Sequence, residues 1–185
     1  MNARHIPNII SVARIVLVGP ILVYLLNRQF AEALALMVVA GLSDGLDGWL
    51  ARRYHWQSRL GSYLDPAADK VLLLTGYVAL TSLSLIPLGL AVTIVLRDVV
   101  ILTGAAAYYW LIGPFEGKPL WISKLNTVLQ LILLIASMLH QSVGFIPALL
   151  LNGLMALVFV TTVTSGLAYV YVWSRKFAEA KRHSG

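Results

Sequence analysis

Six apolar runs, each about as long as a helix needs to be to cross a bilayer, dominate this chain of 185 residues. They fall at about 9–26, 31–51, 62–83, 87–111, 121–140 and 147–173. Turn-forming or charged residues break them: Asn27-Arg28, the stretch from Arg52 to Arg59, Ile86-Pro87, Gly113 to Pro119, and Gln141 to Gly144. The runs are continuous in Leu, Val, Ala and Ile, whereas a membrane barrel shows alternation in segments of roughly ten residues. Helices are therefore expected. The composition agrees: 59% of residues are hydrophobic and 12% charged, against roughly half and about a quarter in a soluble domain. In water there is too little polar surface to cover so many apolar side chains; a bilayer solvates them.

The expected fold is an all-α membrane protein with six transmembrane helices, forming a single domain over residues 1–185. Residues 1–8, ending in Pro7-Asn8, read as a short interfacial lead-in. No small-x-small cleavage site follows the first run before Asn27, so that run is expected to remain as a span and not to leave as a signal peptide. With no cysteine in the chain, disulfides, thiolate metal sites and cysteine nucleophiles are excluded. The net charge of +6 could suggest nucleic acid, but the basic residues sit mostly in short hydrophilic stretches between apolar runs. That pattern reports topology, and no nucleic-acid partner is expected.

Six spans put both termini on one side, together with the loops at 52–59 and 112–120. That side carries Arg4, Arg52, Arg53, Arg59, Lys118, Arg175, Lys176, Lys181 and Arg182, and the other side has Arg28. Under the positive-inside rule the termini and both basic loops face the cytoplasm, as expected for a multi-pass protein of the cell (inner) membrane. Trp110, Trp121 and Trp173 lie near span ends on this side, where interfacial aromatics are common.

Against this background several ionisable residues stand within spans or at their edges: Arg14, Asp44, Asp47, Asp65, Asp69, Lys70, Arg97, Asp98 and Lys124. Each costs a few kcal/mol on insertion scales near the bilayer centre, so intramembrane charge points to function unless it is paired internally. Arg97 and Asp98 alone fit such a pair equally well. The four aspartates do not, because one neighbouring lysine cannot neutralise them all. Asp44 and Asp47 are three residues apart at the cytoplasmic end of the second span, and Asp65 and Asp69 are four apart at the start of the third, so each pair shares a helix face. Pro66 is tolerated there if it lies in the first turn. A short loop makes these helices antiparallel neighbours, and both pairs then meet at one depth.

Four carboxylates so close in a medium of reduced dielectric repel strongly unless protons or cations intervene. Two divalent ions balance the charge, and an all-oxygen donor set favours Mg²⁺ or Mn²⁺ over zinc. Two such ions about 4 Å apart suit an in-line displacement at phosphorus. Gly48, Ala51 and Gly61 leave room for a bulky ligand against the backbone, or equally for close helix packing. Arg52, one turn after Gly48, can offer a fork to a phosphate, or serve as an ordinary anchor.

These residues resemble a known family. Asp44-x-x-Asp47-Gly48-x-x-Ala51-Arg52, then eight residues, then Gly61-x-x-x-Asp65-x-x-x-Asp69 is similar in full to the motif of the CDP-alcohol phosphatidyltransferases. The resemblance implies six transmembrane helices, usually a homodimer, and a polar cavity open to the cytoplasm. It implies that Asp44, Asp47, Asp65 and Asp69 coordinate two divalent cations, Mg²⁺ or Mn²⁺. It also implies that Gly48, Ala51, Arg52 and Gly61, with Asn8, lie against CDP-diacylglycerol, and that Asp69 is the base. Ile6-Pro7-Asn8 with Arg14 looks like the start of both phosphatidylglycerophosphate synthases and CMP-forming cardiolipin synthases. The stretches Leu85-Ile86-Pro87, Leu96-Arg97-Asp98-Val99 and 122–131 look closer to the cardiolipin synthases.

The implied reaction moves a phosphatidyl group from CDP-diacylglycerol to a hydroxyl of phosphatidylglycerol, giving cardiolipin and CMP; the alternative acceptor is glycerol 3-phosphate. Lys124, Arg97 and Arg14, on three other spans, are the candidates for holding the acceptor phosphate. A cation or proton transporter would also place acids within spans, but it needs a polar path through the whole bilayer. Here the acids cluster near one side. A purely structural protein has no use for four convergent carboxylates.

Overall fold

The structure, a computed structural model, describes residues 6–54, 61–113 and 120–183; within these helices the side chains at 6–9, 11, 47–52, 61–67 and 179–183 are not described. The described residues form six α-helices: α1 Ile6–Leu26, α2 Phe30–Tyr54, α3 Gly61–Ser82, α4 Leu88–Leu111, α5 Trp121–Val143 and α6 Ala148–His183. The bounds follow the apolar runs closely, because the breaks carry residues that stop helices. Pro87, extended at φ −60° and ψ 134°, stands immediately before α4. Gly144, at φ 65°, takes the left-handed conformation that closes α5, and its N–H donates to the His140 carbonyl at 3.0 Å.

The two ends differ from expectation. Helix α1 already begins at Ile6, so Pro7 and Asn8 belong to its first turn and do not end a separate lead-in. Proline is tolerated there because the first backbone N–H groups of a helix have no partner within it. Helix α6 runs on for 36 residues, on the order of 54 Å at 1.5 Å per residue, well past the expected end at residue 173. The tail from Ser174 is rich in Ala, Lys, Arg and Glu, good helix formers that extend the apolar segment without themselves suiting lipid. Helix α3 starts at Gly61, so Pro66 is its sixth residue, beyond the first turn in which it was expected.

Among the described residues, three helices are long and apolar enough to cross a membrane: Leu88–Leu111, Trp121–Val143 and the first 31 residues of α6, Ala148–Ala178. Helix α1 adds a shorter apolar stretch, Val12–Leu26. Large apolar side chains such as Val16, Leu102, Leu149 and Leu167 are exposed along these helices, and Leu42 on α2. That is the pattern of a membrane protein, whose surface is solvated by hydrocarbon instead of water.

The chain groups into two compact units, residues 1–85 with 134–147, and residues 86–133 with 148–185. In the first, α1 packs against α2 and α3. Its core pairs large residues (Ile21, Leu25, Tyr77, Leu80) with Ala33, Ala40, Ala68 and Ala79, which let backbones approach. At Gly76 the approach is closest: a Cβ there would stand 2.7 Å from Leu134 Cδ2.

In the second unit α4 packs against α6. Leu90, Ala91, Ile94 and Arg97 form the buried face of α4 at helical spacing. Leu151, Val158, Thr162, Ser165, Tyr169 and Trp173 do the same on α6. Trp110 and Trp121 are exposed, as interfacial aromatics would be. Trp173 is not: it is buried, its ring 5.7 Å from that of Tyr108, against a backbone that Gly104 keeps bare. On α5, Asn126 is buried, and its Oδ1 accepts from the Thr162 hydroxyl of α6 at 2.9 Å.

Candidate active site

The first unit assembles a charged centre from three helices. Arg14 lies in the middle of α1, with its side chain 1% exposed. Such burial is costly for a guanidinium unless carboxylates neutralise it. Among the described residues two do so: Nη1 of Arg14 lies 2.6 Å from Asp44 Oδ1 on α2 and 2.7 Å from Asp69 Oδ1 on α3, where it donates a hydrogen bond. Because one nitrogen touches both acids, the two carboxylates can be no farther apart than those contacts laid end to end. The aspartates themselves are 40% and 52% exposed, so their remaining surface is open to ligands while the arginine beneath them is sealed.

The rest of the expected acid motif brackets this centre along the chain. Asp47, Gly48, Ala51 and Arg52 lie in the last turns of α2, and Gly61 and Asp65 in the first turns of α3. Their side chains, and that of Asn8, are outside the described residues, as is the connecting segment 55–60. Among the described residues no group of three or more His, Cys, Asp or Glu gathers. Asp44 and Asp69 nevertheless fit a hard divalent cation such as Mg²⁺ or Mn²⁺. Both offer only oxygen, and the point where they meet already accommodates a positive charge, that of Arg14.

The second unit holds the other two candidate cations, and they differ. Arg97 is buried on α4, and each of its three guanidinium nitrogens is hydrogen-bonded. Its Nη1 donates to Asp98 Oδ1 at 2.7 Å, its Nε and Nη2 to Ser165 Oγ at 3.2 and 3.0 Å, and Nη2 also reaches the hydroxyl of Ser123. The pairing of Arg97 with Asp98 is the internal one that the sequence left open. Lys124, the residue after Ser123, is exposed on α5, and among the described residues no acid pairs with it.

Sequence reasoning missed Ser123 and Ser165 as partners of Arg97. Ser123 stands within a stretch that carried the resemblance, which is a signal of sorts. Ser165 carries none: it is a small residue in an apolar run, 68 positions from the arginine it meets.

Comparison with known proteins gives a consistent result. Residues 4–168 match the family model for CDP-alcohol phosphatidyltransferases. A CMP-forming cardiolipin synthase of Rattus norvegicus is 39% identical over 95% of this chain and 63% of its own length. The human protein of that name is 38% identical over the same shares. A chloroplastic CDP-diacylglycerol–glycerol-3-phosphate 3-phosphatidyltransferase of rice (Oryza sativa subsp. japonica) is 35% identical over 76% of this chain and 48% of its own. The chain thus spans somewhat under two thirds of the length of the first two relatives. With the family model covering nearly the whole sequence and both units, this chain belongs to the CDP-alcohol phosphatidyltransferase family.

Proposed function

We propose that this protein transfers a phosphatidyl group from CDP-diacylglycerol to a hydroxyl of phosphatidylglycerol, forming cardiolipin and releasing CMP. The observation that carries this reading is the meeting of Asp44 and Asp69 on Arg14, within a chain 39% identical to a CMP-forming cardiolipin synthase. In the reaction the acceptor oxygen forms a bond to the β-phosphorus while the bond from that phosphorus to the CMP oxygen breaks. Asp69, half exposed, takes the hydroxyl proton. Asp44, Asp47, Asp65 and Asp69 would hold two divalent cations, Mg²⁺ or Mn²⁺. Those ions, when bound, offset charge developing on the diphosphate. Gly48, Ala51, Arg52, Gly61 and Asn8 would line the nucleotide.

For the acceptor phosphate, Lys124 is the exposed cation, and Arg97, hydrogen-bonded to the residue before it, is the second. Arg14, the third candidate, is engaged by the acids. We read the two units as one domain of six membrane spans, working as a homodimer with its site and termini at the cytoplasmic face of the cell membrane.

Glycerol 3-phosphate is the second acceptor to consider, because a relative named for that activity is 35% identical. Purified protein incubated with CDP-diacylglycerol and either acceptor, with lipid products identified by mass, separates the two. Cardiolipin is expected from phosphatidylglycerol. Phosphatidylglycerophosphate from glycerol 3-phosphate, with no cardiolipin, overturns the assignment.

A further inference from the structure

Arg14 stands in an unusual position for a residue of an acid-rich site. It is more deeply buried than Asp44 and Asp69, it comes from a different helix than either acid, and its Nη1 reaches both carboxylates. Helix α1 is also the element against which both α2 and α3 pack. Two like charges on neighbouring helices in a poorly solvated setting drive those helices apart. A cation placed between them from below reverses the sign of that interaction. An arginine is suited to this, because it stays charged in any environment and is less strongly hydrated than an ammonium group.

We infer that Arg14 is a positioning residue: a built-in counter-ion that holds Asp44 and Asp69 together before any divalent cation binds, and that then shares their oxygens with that cation and limits its affinity. This rests on the reading of the aspartates as metal ligands, but its first half is separable from it. Holding the acids is a property of the protein in chelator. Limiting affinity follows because a positive charge within hydrogen-bond distance of a ligand oxygen repels an incoming divalent ion and competes for the same lone pairs.

The experiment compares wild-type protein, Arg14→Met and Arg14→Lys in detergent, each unfolded thermally in EDTA and across a Mn²⁺ titration, with bound Mn²⁺ read by electron paramagnetic resonance. Methionine keeps much of the volume and flexibility of the arginine but has no charge. In EDTA the Met variant should lose on the order of 5 °C or more in Tm, since breaking a buried pair leaves its charges uncompensated. The Lys variant should recover part of that loss. With Mn²⁺ the deficit should close, and the Met variant should bind the ion about tenfold more tightly than wild type, a difference of ~1.4 kcal/mol. A Met variant that folds only with Mn²⁺ present gives the same answer in stronger form.

An unchanged Tm in EDTA, or a Met variant that binds Mn²⁺ no more tightly than wild type, overturns the inference. So does an equal failure of the Met and Lys variants to fold with or without the ion. If wild-type protein itself binds no Mn²⁺, the metal-ligand reading of the aspartates fails, and the EDTA comparison alone still decides whether Arg14 holds them.

Discussion

Arg97 on α4 and Ser165 on α6 are joined twice, Nε and Nη2 of one guanidinium both reaching the same hydroxyl oxygen, at 3.2 and 3.0 Å. Directly beside this contact Gly166 faces the arginine stem, whose nearest atom, Cγ, lies 3.7 Å from where a Cβ would stand, an ordinary packing distance. The serine thus helps to fix the direction of a buried cation, together with Asp98 and Ser123.

Ser165→Ala should therefore destabilise the protein by about 1–3 kcal/mol, the usual cost of leaving a buried polar group without a partner. Thermal unfolding in detergent measures it. If Arg97 helps to hold the acceptor, the same substitution raises the KM for phosphatidylglycerol while that for CDP-diacylglycerol stays near wild type. A stability loss with both KM values unchanged assigns Arg97 to helix packing alone.

Gly104 faces the Trp173 ring, and a Cβ there would stand 2.5 Å from Cδ1. Gly104→Ala should cost about 1–3 kcal/mol through overpacking, because the indole is wedged against Tyr108 and cannot simply move aside. The double variant Gly104→Ala, Trp173→Leu should recover part of the loss. No recovery would mean that the clash is absorbed elsewhere.

Lys124 is exposed, which makes it the candidate cation best placed to meet a ligand. Lys124→Ala should raise the acceptor KM by about tenfold, or ~1.4 kcal/mol, and alter that for CDP-diacylglycerol much less. Steady-state kinetics with each substrate varied in turn reads the split. Equal effects on both would place Lys124 in the general packing of the site.

Asp44 and Asp69 share one arginine nitrogen, yet their proposed roles differ. Activity should vanish in EDTA and return with Mg²⁺ or Mn²⁺. Asp69→Asn should reduce turnover by about 100-fold or more through loss of the base, with CDP-diacylglycerol binding largely retained. Asp44→Asn should weaken metal and nucleotide binding together. Should Asp69→Asn lose substrate binding as badly, with turnover restored by excess metal, then Asp69 serves as a ligand and not as the base.

The helices were legible because lipid and turn chemistry act locally. A run such as Leu88–Leu111 declares itself by length and composition, and Pro87 and Gly144 mark boundaries by their own backbone restrictions. Where local signals conflicted, the reading slipped. Residues beyond Ser174 are too polar for a span and so read as a tail, yet their helix propensity carries α6 on to His183. Pro7 read as a stop before the first helix although the first turn tolerates it.

Spacings of three and four put the aspartates on helix faces in the sequence, and of the four the structure brings Asp44 and Asp69 together, while the side chains of Asp47 and Asp65 lie outside the described residues. The partners of the cations were not. Arg14, Arg97 and Lys124 look alike in sequence, each a single positive charge in an apolar run. What the sequence by itself determined is therefore the number of the helices, most of their bounds, and the placing of the acid motif on α2 and α3. Only the tertiary structure decided that Arg14 turns to Asp44 and Asp69, that Arg97 turns to Asp98, Ser123 and Ser165, and that Lys124 stays exposed. The reason is physical: periodicity tells which face of a helix a side chain leaves from, whereas the partner of a long, flexible cation depends on which residue of a neighbouring helix lies opposite, and that is set by packing between segments tens of residues apart.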